Sequence, residues 1–207
     1  MSVMMRMDKN TSSDEDSLLV ASCRKGDPDA FESLVLKYQK RMFNIAFRIT
    51  GDYEDAGETV QEAFLSAYRS IGRFRGDSGF ATWLTAITVN LAKNRLKQTR
   101  GRQRHESRSL DDPIPTEEGC MAADPPANTP SVLEELEKNE IRRKVQECIK
   151  ALDDDFREVL VLRDMQDISY GEIGAILKLA LGTVKSRLSR ARESVRDCLK
   201  KKLGDDL

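Results

Sequence analysis

The chain has 207 residues, 39% of them hydrophobic and 33% charged, with 34 Lys and Arg against 35 Asp and Glu for a formal net charge of −1. That length allows one or two domains, and an aromatic content of only 6% in a polar composition argues against an all-β fold. Its apolar runs are too short to span a membrane, and residues 1–16 lack the apolar core of a secretion signal, so a cytoplasmic protein with no direct membrane insertion is expected.

The pattern along the chain is helical. A short helix over 14–24 ends at Gly26, and Asp27-Pro28 opens a second, with a capping side chain followed by proline at the first helical position. Its apolar stripe is Phe31, Leu34, Val35, Tyr38, Met42, Ile45, Ala46 and Ile49, and Gly51 ends it. A third helix over 52–70 turns Ala56, Val60, Ala63, Phe64 and Ala67 inward. After a loop over 72–79, a fourth helix over 80–97 faces Trp83, Leu84, Ile87, Leu91 and Leu96 to the core, with its basic residues outward. Residues 101–131, with Pro113, Pro115, Pro125, Pro126 and Pro130 among Gly, Ser, Asp and Glu, read as a flexible linker. Helices over 133–152 and 156–165 then lead to a helix-turn-helix. The expected fold is therefore all-α: two small helical domains, 14–100 and 132–203, joined by the linker 101–131.

The helix-turn-helix is the sharpest local signal. Ser169 and Glu172 form a capping box that opens a short helix with Ile173, Ile176 and Leu177 on one face. After the turn, Val184, Leu188, Ala191, Val195 and Leu199 recur every three or four residues as one buried stripe. Lys185, Ser186, Ser189 and Arg190 then project elsewhere, within reach of base edges and phosphates.

Charge is sorted along the chain. Lys93, Arg95, Lys97, Arg100, Arg102, Arg104 and Arg108 crowd one segment, and Lys185, Arg187, Arg190, Arg192, Arg196 and Lys200–Lys202 another. Between them lie Asp111, Asp112, Glu117, Glu118, Asp124, Glu134, Glu135 and Glu137. Two basic helices around an acidic spacer point to two nucleic-acid contacts, since binding follows local potential rather than net charge. The loop Arg73-Phe74-Arg75-Gly76-Asp77-Ser78-Gly79-Phe80 mixes aromatic and cationic groups with glycine, a composition that can stack an unpaired base. The four cysteines, Cys23, Cys120, Cys148 and Cys198, form no CxxC pair, and His105 is the only histidine, so free thiols and no metal site are expected.

Taken in order, Asp55-Ala56-Gly57-Glu58-Thr59-Val60-Gln61-Glu62-Ala63-Phe64, Phe74-Arg75-Gly76-Asp77, Phe80-Ala81-Thr82-Trp83-Leu84, Asp167-Ile168-Ser169-Tyr170-Gly171-Glu172-Ile173 and 182–192 resemble the extracytoplasmic-function (ECF) sigma factors of bacterial RNA polymerase, of the sigma-70 family. The resemblance covers about 17–100 and 133–200. It implies a sigma region 2-like domain, a sigma region 4-like domain, and a factor that binds core RNA polymerase and directs promoter-specific initiation. It implies that Asp55, Glu58, Gln61 and Glu62 meet the β′ clamp helices, and that the second domain meets the β flap. Arg73, Phe74, Arg75, Asp77 and Phe80 would capture the −10 element with a base flipped into the loop, and Asn90 and Lys93 would hold that strand. Lys185, Ser186, Ser189 and Arg190 would read the −35 duplex, with Arg187 and Arg192 on phosphates and Tyr170 on the backbone. Trp83 belongs to the core rather than to a melting wedge.

An anti-sigma factor is the further partner the family implies, and the linker would thread toward the polymerase active centre and RNA exit path. Two departures stand out: Gly57 and Glu58 where the family often has an acidic residue and Asp, and Ala180 where it often has proline. Gly57 lowers helix propensity by about 1 kcal/mol relative to Ala. No residue group offers a nucleophile–base pair, a metal cluster or a phosphate loop, so no enzyme, cofactor or small-molecule substrate is expected. A stand-alone helix-turn-helix regulator is the rival reading. A metal-dependent nuclease would need carboxylates converging in a cleft, whereas Asp55, Glu58 and Glu62 are spaced as an exposed ridge.

Overall fold

The computed structural model describes residues 7–106 and 132–203. These form α1 (Met7–Arg24), α2 (Pro28–Thr50), α3 (Tyr53–Ser70), a 3-10 turn (Ile71–Arg73), α4 (Phe80–Glu106), α5 (Val132–Lys150), α6 (Asp154–Leu160) running on into a π-helical turn (Val161–Met165), α7 (Tyr170–Leu177) and α8 (Leu181–Leu203). The all-α class is as expected, with no strand among the described residues. The helix at 80 runs past the expected end to Glu106, into what was read as linker. The reading of the acidic stretch of the linker lies outside the described residues.

Local chemistry sets the helix ends. The Asp27 carboxylate accepts from the Asp29 and Ala30 amides at 3.0 and 3.3 Å, and Pro28 begins α2. Gly51 stops it in the left-handed region at φ 74°, its amide donating to the Phe47 carbonyl. Glycine is needed there twice over, because a Cβ would also meet the Lys150 side chain at 3.0 Å. Asp52 then caps α3 by accepting from the Asp55 amide at 2.8 Å.

The first bundle packs Leu34, Met42, Ile45 and Ile49 of α2 against Ala63 and Ala67 of α3 and Leu84, Val89 and Ala92 of α4. The stripe expected on α4 is corrected here. Leu84 is buried, but Ile87, Leu91 and Leu96 are only partly so, and Thr85, Thr88, Val89 and Ala92 take the inner positions. The two threonines enter the core because their hydroxyls donate to the Ala81 and Leu84 carbonyls one turn back, at 2.7 and 3.0 Å. Trp83 is half-buried in an aromatic cluster with Phe74 and Phe80.

In the second bundle Val184, Leu188 and Ala191 of α8 are buried against Val159–Leu162 and Ile173. The expectation of free thiols fails for two of the cysteines. Packing of α8 on α5 brings the Cα atoms of Cys148 and Cys198 to 5.8 Å, and their sulfurs form a disulfide across 50 residues of sequence. Cys23 is a free, buried thiol whose pKa is pushed up by burial, with Asp27 adding to the effect.

The buried apolar residues of the two bundles form one contiguous cluster, and polar bonds cross the seam beside it. Arg157, almost wholly buried, donates to the carbonyls of Ile149, Lys150 and Leu152 in its own bundle and to that of Ile49 in the other, at 2.6–3.0 Å. Arg100 reaches Asp154 through two bonds of 2.6 and 3.0 Å, and the Thr82 hydroxyl donates to Glu172 at 2.8 Å.

Candidate nucleic-acid and polymerase interfaces

The helix-turn-helix is built by two local devices. Ser169 and Glu172 complete the expected capping box: the Ser169 amide donates to the Glu172 carboxylate at 3.1 Å, and the Glu172 amide donates to the Ser169 hydroxyl at 3.3 Å. At the turn, Lys178 adopts φ 56° and the Leu179 amide donates to the Gly174 carbonyl. A Cβ at Gly174 would sit 2.9 Å from the Leu179 carbonyl oxygen, so only glycine lets the chain turn this tightly into α8. Burial alone would raise the Glu172 pKa, but the Ser169 and Thr82 hydrogen bonds outweigh it and hold the carboxyl below its ordinary value.

On α8, Lys185, Ser186, Ser189 and Arg190 are exposed along one flank. Arg187 and Arg192 are not equivalent to them. Arg187 pairs with Asp155 at 2.6 Å, and Arg192 grips Asp164 through two bonds of 2.9 and 2.5 Å. The Tyr170 ring stacks under the Arg163 guanidinium at 5.1 Å and borders a polar cleft shared with Lys185, Ser189 and Arg192.

In the first bundle, the 73–80 loop brings Phe74, Arg75 and Phe80 to one cavity, together with Asp16 and Arg24 of α1. Arg73, Arg75 and Asp77 are exposed, with Arg75 and Asp77 ion-paired at 3.3 Å, while Phe74 is half-buried and Phe80 buried. Of the strand contacts expected on α4, Asn90 is exposed, but Lys93 is engaged by Glu158 of the second bundle at 2.9 Å. The Glu158 side chain is 3% exposed, and burial pushes its carboxyl pKa up despite the opposing pull of Lys93.

The ridge on α3 divides in two. Asp55 and Glu58 are held by Arg95 of α4, and Thr99 also donates to Asp55 at 3.1 Å; Gln61 and Glu62 stand exposed. Beside the ridge lies a feature that periodicity missed. An apolar groove of about 770 Å³ runs between α2 and α3, lined by Phe31, Val35, Phe43, Val60, Leu65 and Tyr68 among others. Its sequence signal was the apolar residues left outside the core stripe, Phe43, Leu65 and Tyr68. A second groove of about 440 Å³ runs along α8 between Val145, Ile149, Leu160, Met165, Val195 and Leu199.

Two family models match: sigma-70 region 2 over residues 34–102 and sigma-70 region 4 over 142–195. Among characterised relatives, the RNA polymerase sigma-H factor of Pseudomonas aeruginosa is 38% identical over 88% of this chain and 92% of its own length. The ECF RNA polymerase sigma-E factor of Escherichia coli K12 is 40% identical over 87% of this chain and 92% of its own. Among solved structures, CnrH in complex with the cytosolic domain of CnrY superposes with a TM-score of 0.64 at 22% identity, over 90% of this chain and 98% of that one. The Bartonella quintana sigma factor RpoE, in complex with the anti-sigma factor NepR, does so with 0.61 at 24% identity, over 82% of this chain and 96% of that one. At those identities the structures speak for the fold, and the sequence relatives carry the assignment: the chain belongs to the ECF sigma factors of the sigma-70 family.

Proposed function

We propose that this sigma factor, which directs promoter-specific initiation by RNA polymerase, divides promoter recognition between its two bundles. The first binds core polymerase and captures the melted −10 strand; the second reads the −35 duplex. The observation that carries this is the flank of α8, where Lys185, Ser186, Ser189 and Arg190 stand exposed on a helix whose opposite face is buried. Lys and Arg donate to guanine O6 and N7, and serine hydroxyls donate or accept, so the set suits a purine-rich strand. Arg187 and Arg192 meet phosphates by exchanging Asp155 and Asp164 for the DNA backbone. Arg73, Phe74, Arg75, Asp77 and Phe80 take the −10 strand, and Asn90 and Lys93 support it.

Polymerase contact falls to Asp55, Glu58, Gln61 and Glu62, and the β′ clamp helices and β flap are the surfaces to be met. The two apolar grooves lie beside the polar contacts and supply the desolvated area that a charged rim lacks. Duplex opening draws on binding energy to the single strand, and the chain performs no catalysis. It acts in the cytoplasm, where polymerase and chromosome are. An anti-sigma factor fits as an inhibitor, since the Bartonella quintana sigma factor of the same fold was captured with such a partner, NepR. The rival reading, a stand-alone regulator, leaves the first bundle and the two-domain match to sigma factors without a role.

The test is run-off transcription with purified core polymerase and a genomic promoter library, with and without the protein. New starts sharing spaced −35 and −10 elements are expected. Absence of binding to core would overturn the reading.

A further inference from the structure

The Cys148–Cys198 disulfide plays no part in the contacts proposed for DNA or polymerase. Polymerase and chromosome share a compartment whose glutathione and thioredoxin pools keep thiols reduced, and a cystine that forms there is as a rule transient and redox-sensing. Resting on the reading of this chain as a cytoplasmic sigma factor, we propose that Cys148 and Cys198 are a reversible redox-modification site. The pair exchanges with thiols and disulfides of the glutathione class, and only the oxidised pair holds the groove between α5 and α8 in its polymerase-binding form.

The two sulfurs differ in the way exchange requires. Cys148 is 1% exposed, whereas Cys198 is half-buried on the last turns of α8. An incoming thiolate therefore attacks the Cys198 sulfur. A bond forms between that sulfur and the external one, the bond to Cys148 breaks, and Cys148 leaves as a thiolate that takes up a proton. A second external thiolate then attacks the external sulfur of the mixed disulfide, releasing Cys198 as a thiol. Two electrons pass to the protein, and two small thiols become one disulfide. Oxidation by glutathione disulfide runs the same steps in reverse. Lys201 and Lys202 follow Cys198 by three and four residues, on the same side of the helix. Lys202 is paired with Glu147, Asp197 is paired with Arg196, and Lys201 is exposed. The positive charge of that turn attracts an anionic thiol such as glutathione and favours the thiolate at Cys198.

The bond sits where the groove depends on it. Cys148 adjoins Ile149 on α5 and Cys198 adjoins Leu199 on α8, and both neighbours line the groove of about 440 Å³. Val145 and Val195, one turn back on each helix, line it too. Besides the disulfide, the end of α8 is held to α5 by the Lys202–Glu147 pair, which is open to solvent and correspondingly weak. Val195 and Leu199 are themselves only partly buried. Reduction therefore lets the last turns of α8 leave α5, and the apolar walls part with them.

The test equilibrates the full chain in glutathione buffers of stepped ratio and divides each sample. Differential alkylation and mass spectrometry read the oxidised fraction of Cys148 and Cys198 in one half, and run-off transcription with core polymerase in the same buffer reads the other. The two cysteines should titrate together as one two-electron step. Transcription should fall about five-fold or more between the oxidised and reduced ends and return on reoxidation. Cys198→Ser should stay at the reduced level in every buffer, which separates this site from the thiols of polymerase itself. A pair that stays oxidised at every ratio is a fixed cross-link, and a pair that never oxidises is no site; either overturns the proposal. A pair that titrates while transcription stays level overturns it as well. The wild type alone supplies the fall and the return, so the result does not depend on the variant folding. Failure of the chain to bind core or start transcription in any buffer would instead overturn the sigma-factor reading.

Discussion

Reducing the Cys148–Cys198 disulfide should lower the stability of the second bundle by a large share of its total. The cross-link closes 50 residues of sequence, and the chain-entropy relation for a loop of that size gives about 4 kcal/mol at 25 °C. A domain of this size typically has a total stability of about 4–10 kcal/mol, so the bond is no minor addition. For such a domain the loss corresponds to a fall in Tm on the order of 15–30 °C. The site itself decides which variant is clean. Cys148 is 1% exposed, and replacing it would add a packing defect to the lost cross-link. Cys198 is half-buried, so Cys198→Ala removes the bond with little loss of core. The assay is thermal unfolding by circular dichroism of the wild type, the wild type under a phosphine reductant, and Cys198→Ala with and without reductant. The wild type should fall on reduction to the level of Cys198→Ala, and the variant should not respond further. A reduction-induced shift under about 5 °C would refute the reasoning. It would mean that the Lys202–Glu147 ion pair and the apolar contacts of Val195 and Leu199 already hold the end of α8 against α5.

Other residues make separable predictions. Arg157→Ala should cost about 3 kcal/mol or more, because four carbonyls on both bundles lose a buried charged donor; urea unfolding measures it, and a loss under 1 kcal/mol would contradict the role given to that side chain. Glu158→Lys sets two cations together at Lys93 and should part the bundles, raising the radius of gyration in small-angle scattering while helix content is retained; unchanged compactness would count against the seam. Ser169→Ala should destabilise the helix-turn-helix by about 1 kcal/mol. The same cap has a pH signature: with the Glu172 carboxyl held below its usual value of 4.5, its stabilisation is complete above that pH and is lost as pH falls through the lowered folded value. Ser169→Ala should move that acid loss to higher pH, and melts across pH 3–6 would reveal it. Arg190→Ala should cost about 1–3 kcal/mol on −35 duplex and relax specificity at one base pair, whereas Arg192→Ala should weaken binding evenly across sequences, as fluorescence anisotropy on mutated half-sites would distinguish.

The parts of the molecule legible in the sequence are those whose cause is local. The capping box needs only Ser169 and Glu172 three residues apart, and the Asp27-Pro28 opening and Gly51 end of α2 are likewise written in neighbouring residues. The stripe of α8 holds for Val184, Leu188 and Ala191; Val195 and Leu199 continue the period but are only partly buried and line a groove shared with α5. What was not legible depends on partners far along the chain. Periodicity scores Thr85 and Thr88 as polar, although their hydroxyls are satisfied within the helix and they behave as core. Asp16 and Arg157 read as surface charges until the fold supplies Lys37 and Tyr38 to one and four carbonyls to the other. The disulfide joins residues with no motif between them, so only the packing of α5 on α8 reveals it.

The same distinction bears on how the bundles are joined. Beside the apolar cluster that joins the bundles, the bonds across this seam are ionic or polar: Lys93 to Glu158, Arg100 to Asp154, Thr82 to Glu172, Arg41 to the Gln166 carbonyl and Arg157 to the Ile49 carbonyl. Desolvation offsets much of the Coulomb gain in such pairs, so the polar bonds themselves add only a modest net free energy. Three of the seam's first-bundle groups, Thr82, Lys93 and Arg100, lie on α4, the helix proposed to follow the −10 strand, and their partners are carboxylates. A phosphodiester backbone presents the same charge and the same acceptor oxygens. Exchange of the second bundle for DNA on α4 therefore replaces each bond with one of like kind. The seam can open without stranding a buried charge on the helix that has to bind.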